Sequence, residues 1–413
     1  MANLLFLAHR LPYPPNKGDK VRSYHLLKHL AANHRVFLGT FVDDPDDECH
    51  VATVAAMCSD LHVVRLRPGL ARPASLLGFL NREALTLRYY ADAGLQRWVD
   101  RTCARQPIDA MLVFSSAMAQ YAPNLPHLPM LVDFVDVDSA KWDQYASMHR
   151  WPLSWIYRRE GELLLAHERA VAARAVHSFF VTENETALFR RLAPECKAMV
   201  GSLGNGVDSE YFSVDSTRKS PFRSQPLTGD TDEHLPLVFT GAMDYWPNVD
   251  AVTWFVDEVL PQLRDRFPAI RFHIVGRSPS EAVKALASDL VKVTGTVPDI
   301  RPYLQHAAVV VAPLRVARGI QNKVLEAMAM GRPAVVSETC ANAIDARVGT
   351  ELLSAATAAD YVGQITSLLV DPRFAHAIGR AGRQRVLRRY TWEAHLSEID
   401  RRLAKLCSVG APA

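Results

Sequence analysis

The chain has 413 residues, 49% hydrophobic and 22% charged, with a formal net charge of +3. Single hydrophobic cores stop growing near roughly 250–300 residues, so two domains of about 200 residues each are expected. The composition is that of a globular protein, and so small a positive surplus gives no reason to expect nucleic acid as a partner.

Six cysteines, at 49, 58, 103, 196, 340 and 407, are scattered without CxxC or Cys/His metal spacing. Reduced thiols in a cytoplasmic protein are expected, rather than a disulfide framework or a zinc site. The start, MANLLFLAHR, has no charge ahead of its short apolar run, which reads as a first strand and is too short for a signal peptide. No window approaches the ~18 apolar residues that would span a bilayer, so any membrane role is expected to be peripheral.

From the start, short apolar runs alternate with helical patterns. NLLFLA (3–8), VFLGTF (36–41), LHVVRL (61–66), AMLVFS (110–115), MLVDFV (130–135) and HSFFVT (177–182) read as buried parallel strands. Their runs are continuous rather than alternating, which indicates cover on both faces. Helical stretches such as 21–32 and 153–175 separate them. A polar segment rich in Pro, Ser and Thr, 215–236, is the expected linker. A second set follows: LVFTG (237–241), IRFHIVG (270–276), VKVTG (291–295), AAVVVAP (307–313) and PAVVS (333–337). The expected fold is α/β, with two doubly wound Rossmann-like domains facing a central cleft, since ligands in such sheets sit beyond the C-terminal ends of the strands.

Several common chemistries are disfavoured. No GxGxxG follows the first strand, and GxxxxGK[ST], GxSxG and HExxH do not occur. The segment RGIQNKVLEAMAMG (318–331) is more informative. It follows a buried strand and passes through Gly319 into a short helix. A glycine at a helix mouth admits a ligand close to the backbone, where free N–H groups and the dipole favour phosphate. Lys323 adds a cation in the first turn, and Glu326 follows on about the same face, placed to hold sugar hydroxyls. An amphipathic helix with solvated Lys and Glu fits the same segment taken alone.

Other segments support the nucleotide reading. In order they are PYPPNKGDKVR (12–22), VDFVDVDSAKW (132–142), GNGVD (204–208), FTGAMDYWPN (239–248), IVGRSP (274–279), the 318–331 segment and RRYTWE (388–393). With them the chain resembles the retaining GT-B glycosyltransferases of family 4, in their exosortase- and exopolysaccharide-associated branch. The resemblance covers nearly the whole chain. It implies an acceptor-side domain over 1–205, a nucleotide-sugar domain over 206–387, and a helix over 388–413 that crosses back to the first domain, with Tyr390 and Trp392 as packing residues.

The residues can be read singly. Gly18 can bring backbone near a ligand, and Asp19 or Ser23 can cap the following helix; the resemblance implies that this loop approaches the donor diphosphate. Asp133, Asp136 and Asp138 crowd a strand end, where capping and sugar contact are both open, and the resemblance assigns Asp136 to the transferred sugar. It implies no bound metal and no other cofactor, so the DVD sequence is not taken as a metal motif. Gly206 is expected in a turn with positive φ, in an architectural role. Gly241 ends a strand facing the site. Relatives often carry Arg and Lys just beyond it, where this chain has Met243, Asp244 and Asn248; Arg277 and Lys323 are expected to supply the missing charge. The resemblance assigns Glu326 to the ribose. The earlier of the family's two glutamates is here Arg318. That residue invites a sharper reading, selection of a uronic-acid donor through its guanidinium, against the simpler one of phosphate binding or solvent exposure.

The implied reaction is sugar transfer from a nucleoside diphosphate with retention, a metal-independent hexosyl transfer to a glycan or lipid-linked glycan in exopolysaccharide synthesis. Charge developing on the leaving phosphate would be met by the N–H groups of Gly319, Ile320 and Gln321, by Lys323 and by Arg277. The departing phosphate is implied to take the acceptor's proton. Trp151, Trp155, Ile156 and Tyr157 beside Arg158 and Arg159 either pack into the core or form an aromatic and basic surface. The latter would dock peripherally on anionic lipid at the inner face of the plasma membrane. Two rivals stay open: a nucleotide-sugar epimerase of the same fold, and a non-catalytic nucleotide-sugar-binding protein.

Overall fold

The computed structural model describes residues 1–15, 18–123, 125, 127–222, 234–317 and 319–409. The chain divides into two compact units, Met1–Asn205 with His395–Ala413, and Gly206–Ala394. In the first, seven parallel strands run β1 (Asn3–Ala8), β2 (Arg35–Val42), β3 (Asp60–Arg65), β4 (Ala110–Phe114), β5 (Met130–Val135), β6 (His177–Phe180) and β7 (Val200–Ser202). Their order across the sheet is β3-β2-β1-β4-β5-β6-β7. The second holds β8 (Leu235–Thr240), β9 (Ile270–Val275), β10 (Val291–Gly295), β11 (Val309–Ala312), β12 (Ala334–Ser337) and β13 (Leu353–Ala355), ordered β10-β9-β8-β11-β12-β13.

Both sheets are therefore doubly wound. The chain moves outward from β1 through β3, returns to the other side of β1 at β4, and repeats this about β8. Strand order reverses between β1 and β4 and between β8 and β11, which opens a crevice at the carboxyl ends of those strands. Strands buried on both faces explain the continuous apolar runs. Leu5, Leu7, Met111, Val113 and Val132 fill one face of the first sheet, and Leu237, Phe239, Ile274, Val309 and Val311 one face of the second.

Two short strands, β7 and β13, were not among the expected ones; three residues are too few for periodicity to register. Of the expected linker, Asp215 and Arg218 are tied to Gln305, and Phe222 packs against the ring of His273. Residues 223–233 of that segment lie outside the described residues.

Gly206 corrects an expectation. Among the described residues the positive-φ glycines are Gly241, Gly276, Gly295, Gly319, Gly331 and Gly349. Gly206 is required instead by close approach, because a Cβ there would lie 2.6 Å from the backbone of Trp392. Val207 donates to the Tyr390 carbonyl at 2.7 Å, and Tyr390 and Trp392 are themselves buried. Ser23 also differs from a cap. It is buried, and its hydroxyl donates to the Lys20 carbonyl within the helix Gly18–Asn33.

Candidate functional site

In the second unit the crevice is built from strand ends. The Gly241 N–H donates to the Val275 carbonyl at 3.0 Å, locking the end of β8 against β9. Beyond β9, a Cβ on Gly276 would lie 1.6 Å from the Gly241 oxygen, so no side chain fits. Met243 N–H then holds the Arg277 carbonyl at 2.8 Å. After β11, Gly319 adopts φ 65°, a left-handed conformation that lets the chain double back. Ile320 packs against the core, and Gln321 becomes the extended N-cap of the helix Asn322–Ala329. The first N–H groups of that helix lack intrahelical acceptors, and their dipoles favour an anion.

Lys323 is held in place rather than solvated. Its ammonium donates to Asn248 Oδ1 at 2.7 Å and lies 4.0 Å from the centroid of the Phe239 ring. Asn248 is itself fixed by donating Nδ2 to the Ala242 carbonyl at 2.8 Å. A Cβ on Gly241 would lie 3.0 Å from Lys323 Nζ and 2.8 Å from Asn248 Nδ2. Glycine at 241 therefore keeps this corner of the crevice open. One turn below sits Glu326, partly buried. Burial lowers the Lys323 ammonium to about 7 against the pull of Glu326, and raises the Glu326 carboxyl to about 7 against the pull of Lys323. Each group is thus poised to change charge when an oppositely charged or hydrogen-bonding ligand arrives.

The structure brings Gly241, Lys323 and Asn248 together, with Gly319, Ile320, Gln321 and Glu326 on the adjoining loop and helix. The Arg277 side chain is exposed and has no ion-pair partner among the described residues. Arg315, by contrast, is neutralised by Asp250. Arg318 lies outside the described residues. Sequence reasoning missed Asn248 and Phe239 as supports of Lys323; position 248 drew notice only for lacking a cation.

The first unit places its expected residues differently. Gly18 is the first residue of its helix and is exposed. Asp19 receives His9 at 3.2 Å and Arg10 at 2.9 Å. Burial works to raise the Asp19 carboxyl, but the His9 hydrogen bond and the charges of His9 and Arg10 outweigh it and hold it well below the usual carboxylate range. Asp133 is fully buried and paired with Arg22 at 2.7 and 3.1 Å, an architectural role. Asp136 and Asp138 share Lys141, at 2.8 and 3.0 Å.

Two residues ending strands beside this crevice, Ser115 (φ 79°) and Val135 (φ 68°), are left-handed without being glycine. A β-branched residue rarely adopts that conformation, which costs on the order of 1–3 kcal/mol. The Val135 kink, closed by the Asp136 N–H donating to the Phe134 carbonyl at 2.9 Å, turns the chain toward a cavity of about 240 Å³. His9, Ser115, Asp138, Lys141, Trp142 and Tyr145 line it; Asp136 does not.

Residues 235–371 match the family model described as "Glycosyl transferases group 1". HepE of Anabaena, solved in complex with UDP and glucose, superposes with a TM-score of 0.64 over 98% of this chain and 100% of that one, at 14% identity. The chain has the GT-B fold. Sucrose-phosphate synthase of Thermosynechococcus elongatus gives a TM-score of 0.67 at 16% identity, covering 99% of this chain and 100% of that one. A putative UDP-N-acetylglucosamine 2-epimerase of Listeria monocytogenes gives 0.52 at 12% identity, covering 98% and 96%. No curated protein matches the chain by sequence. The family match falls on the unit that carries Gly241, Gly319, Lys323 and Glu326.

Proposed function

We propose that this protein is a retaining glycosyltransferase of the family 4 type, working without a metal in exopolysaccharide or other cell-surface polysaccharide synthesis. It takes a sugar from a nucleoside diphosphate and passes it to a glycan or lipid-linked glycan. The observation that carries the reading is Lys323, fixed by Asn248 and Phe239 beneath Gly241 at the mouth of a helix. An ammonium, free N–H groups and a side-chain-free backbone suit a diphosphate, and Glu326 one turn below suits the ribose hydroxyls. The fold shared with HepE, solved with UDP and glucose, and the group 1 match support it.

In the proposed reaction the bond from the anomeric carbon to the diphosphate oxygen breaks while the acceptor oxygen bonds to the same face of the sugar. The acceptor's proton passes to the leaving phosphate. Lys323, Arg277 and the N–H groups of Gly319, Ile320 and Gln321 stabilise the charge developing there. Asp136 is proposed to meet the transferred sugar, with Gly18 and Asp19 in the first turn of the helix Gly18–Asn33. The cavity lined by His9, Lys141, Trp142 and Tyr145 is proposed to receive the acceptor, its aromatic faces suiting a sugar ring. Arg318 is proposed to bind the donor phosphates, and selection of a uronic-acid donor through its guanidinium is the alternative that comparing UDP-glucose with UDP-glucuronate tests.

Incubation of the protein with UDP-glucose, UDP-glucuronate and other nucleotide sugars, with and without glycan acceptors, tests this. Acceptor-dependent release of nucleoside diphosphate is expected, with the product anomer matching the donor. The fold shared with the putative epimerase keeps a second reading in view. A new sugar nucleotide formed from donor alone would replace transfer by epimerisation, and donor binding without turnover on any acceptor would leave a binding protein.

A further inference from the structure

The long helix Leu153–Arg174 and the short helices Pro68–Ser75, Gly78–Asn81 and Leu85–Tyr89 form one joined surface on the first unit. Trp155 stacks on Phe79 at 5.9 Å, and the Arg159 guanidinium lies 4.7 Å from the centre of the same ring. Arg159 also donates to the Gly78 and Glu83 carbonyls, and the buried Glu160 carboxylate accepts from the N–H groups of Leu85 and Thr86. These bonds hold the two segments in fixed relation.

The outer side of this surface is apolar where a water-facing surface would be polar. Trp151 is 81% exposed, Leu70 65%, Leu76 55% and Trp155 53%, with Leu77 and Leu153 also exposed. Single exposed apolar residues are ordinary, but six on two joined segments call for an explanation. Charge supplies one. Arg67, Arg72, Arg82, Arg150 and Arg158 are all exposed, while the acids facing them are few: Glu83, paired with Arg88 at 2.5 Å, and the exposed Glu162 one turn beyond Arg158. Tryptophan and leucine ringed by a surplus of arginine match a negatively charged sheet with an apolar layer beneath it. Among the described residues no helix is long and apolar enough to cross a membrane, so contact would be from one side.

We infer that this face docks on an anionic lipid bilayer, with Trp151, Trp155 and the leucines at headgroup depth and the arginines on lipid phosphates. Its chemistry is separate from the diphosphate site, so it stands or falls independently of the proposed transfer, which is assayed in solution.

Flotation of the full chain with vesicles tests it, using phosphatidylcholine alone and phosphatidylcholine mixed with phosphatidylglycerol. Binding is expected to the mixed vesicles only, weakening as salt rises. Trp151→Ala and Leu77→Ser should reduce it, and each arginine lost, as in Arg150→Ser or Arg158→Ser, should weaken partition roughly fivefold. Unchanged UDP binding by the variants shows that they are folded. Failure of the full chain to float with mixed vesicles would overturn the inference. So would flotation of the arginine and tryptophan variants equal to that of the parent, or capture of this face by a soluble protein with no affinity for lipid.

Discussion

Lys323 shows how a single cation is made specific. In water an ammonium is an unselective partner; here Asn248 and Phe239 orient it, and burial makes its charge conditional. Lys323→Met should weaken UDP binding by about 10- to 100-fold, the loss of one charged hydrogen bond, measurable by calorimetry. Affinity should also depend on pH in a predictable sense. In the free protein Lys323 loses its proton above about 7, so binding a diphosphate there requires proton uptake and affinity falls as pH rises. Glu326 holds a proton below about 7, so accepting ribose hydroxyls as a carboxylate requires proton release, and affinity falls as pH drops. A maximum near neutrality is expected from titrations across pH, with Glu326→Gln removing the acid limb and Lys323→Met the alkaline one. Lys323 and Glu326 were legible because both lie in one short helix, where spacing alone sets which face they share. Asn248 was not, because it stands 75 positions from the lysine it holds.

At the scale of elements, strand ends decide where chemistry can sit. β8 and β9 meet through glycine backbones, so Gly276→Ala forces their ends apart. A loss of about 1–3 kcal/mol in urea unfolding is expected, with weaker UDP binding, because the Gly241 turn moves with them. In the first unit, Arg22 on the first helix neutralises Asp133 inside β5. Arg22→Met should cost about 3–5 kcal/mol by leaving a carboxylate buried without its partner. The cluster of three aspartates illustrates the limits of local reading. Their crowding at a strand end marked the place, but which one is structural depends on Arg22, and which one lines the cavity depends on the left-handed Val135. Neither follows from the spacing of the acids. Gly206 is similar: glycine is needed there, but for the nearness of Trp392 rather than for a turn.

Over the whole molecule, the ligand should act on one unit in particular. UDP at 100 times its dissociation constant should stabilise the unit that binds it by about 2.7 kcal/mol. Hydrogen exchange should slow at 237–241, 274–281 and 319–328, while β1–β7 change little; equal protection of both sheets would relocate the site. Two α/β halves and the positions of eleven of the strands are legible in the residues alone, because apolar runs and their spacing are local properties of the chain. So is the 318–331 segment, because a glycine, a lysine and a glutamate on one short helix are a local pattern. Strand order, the crevices where that order reverses, the support of Lys323 by Asn248 and the exposure of Trp151 emerge only once the chain is folded. Each of these depends on which distant segments meet, and pairing energies between distant segments leave no periodic trace in the residues that make them.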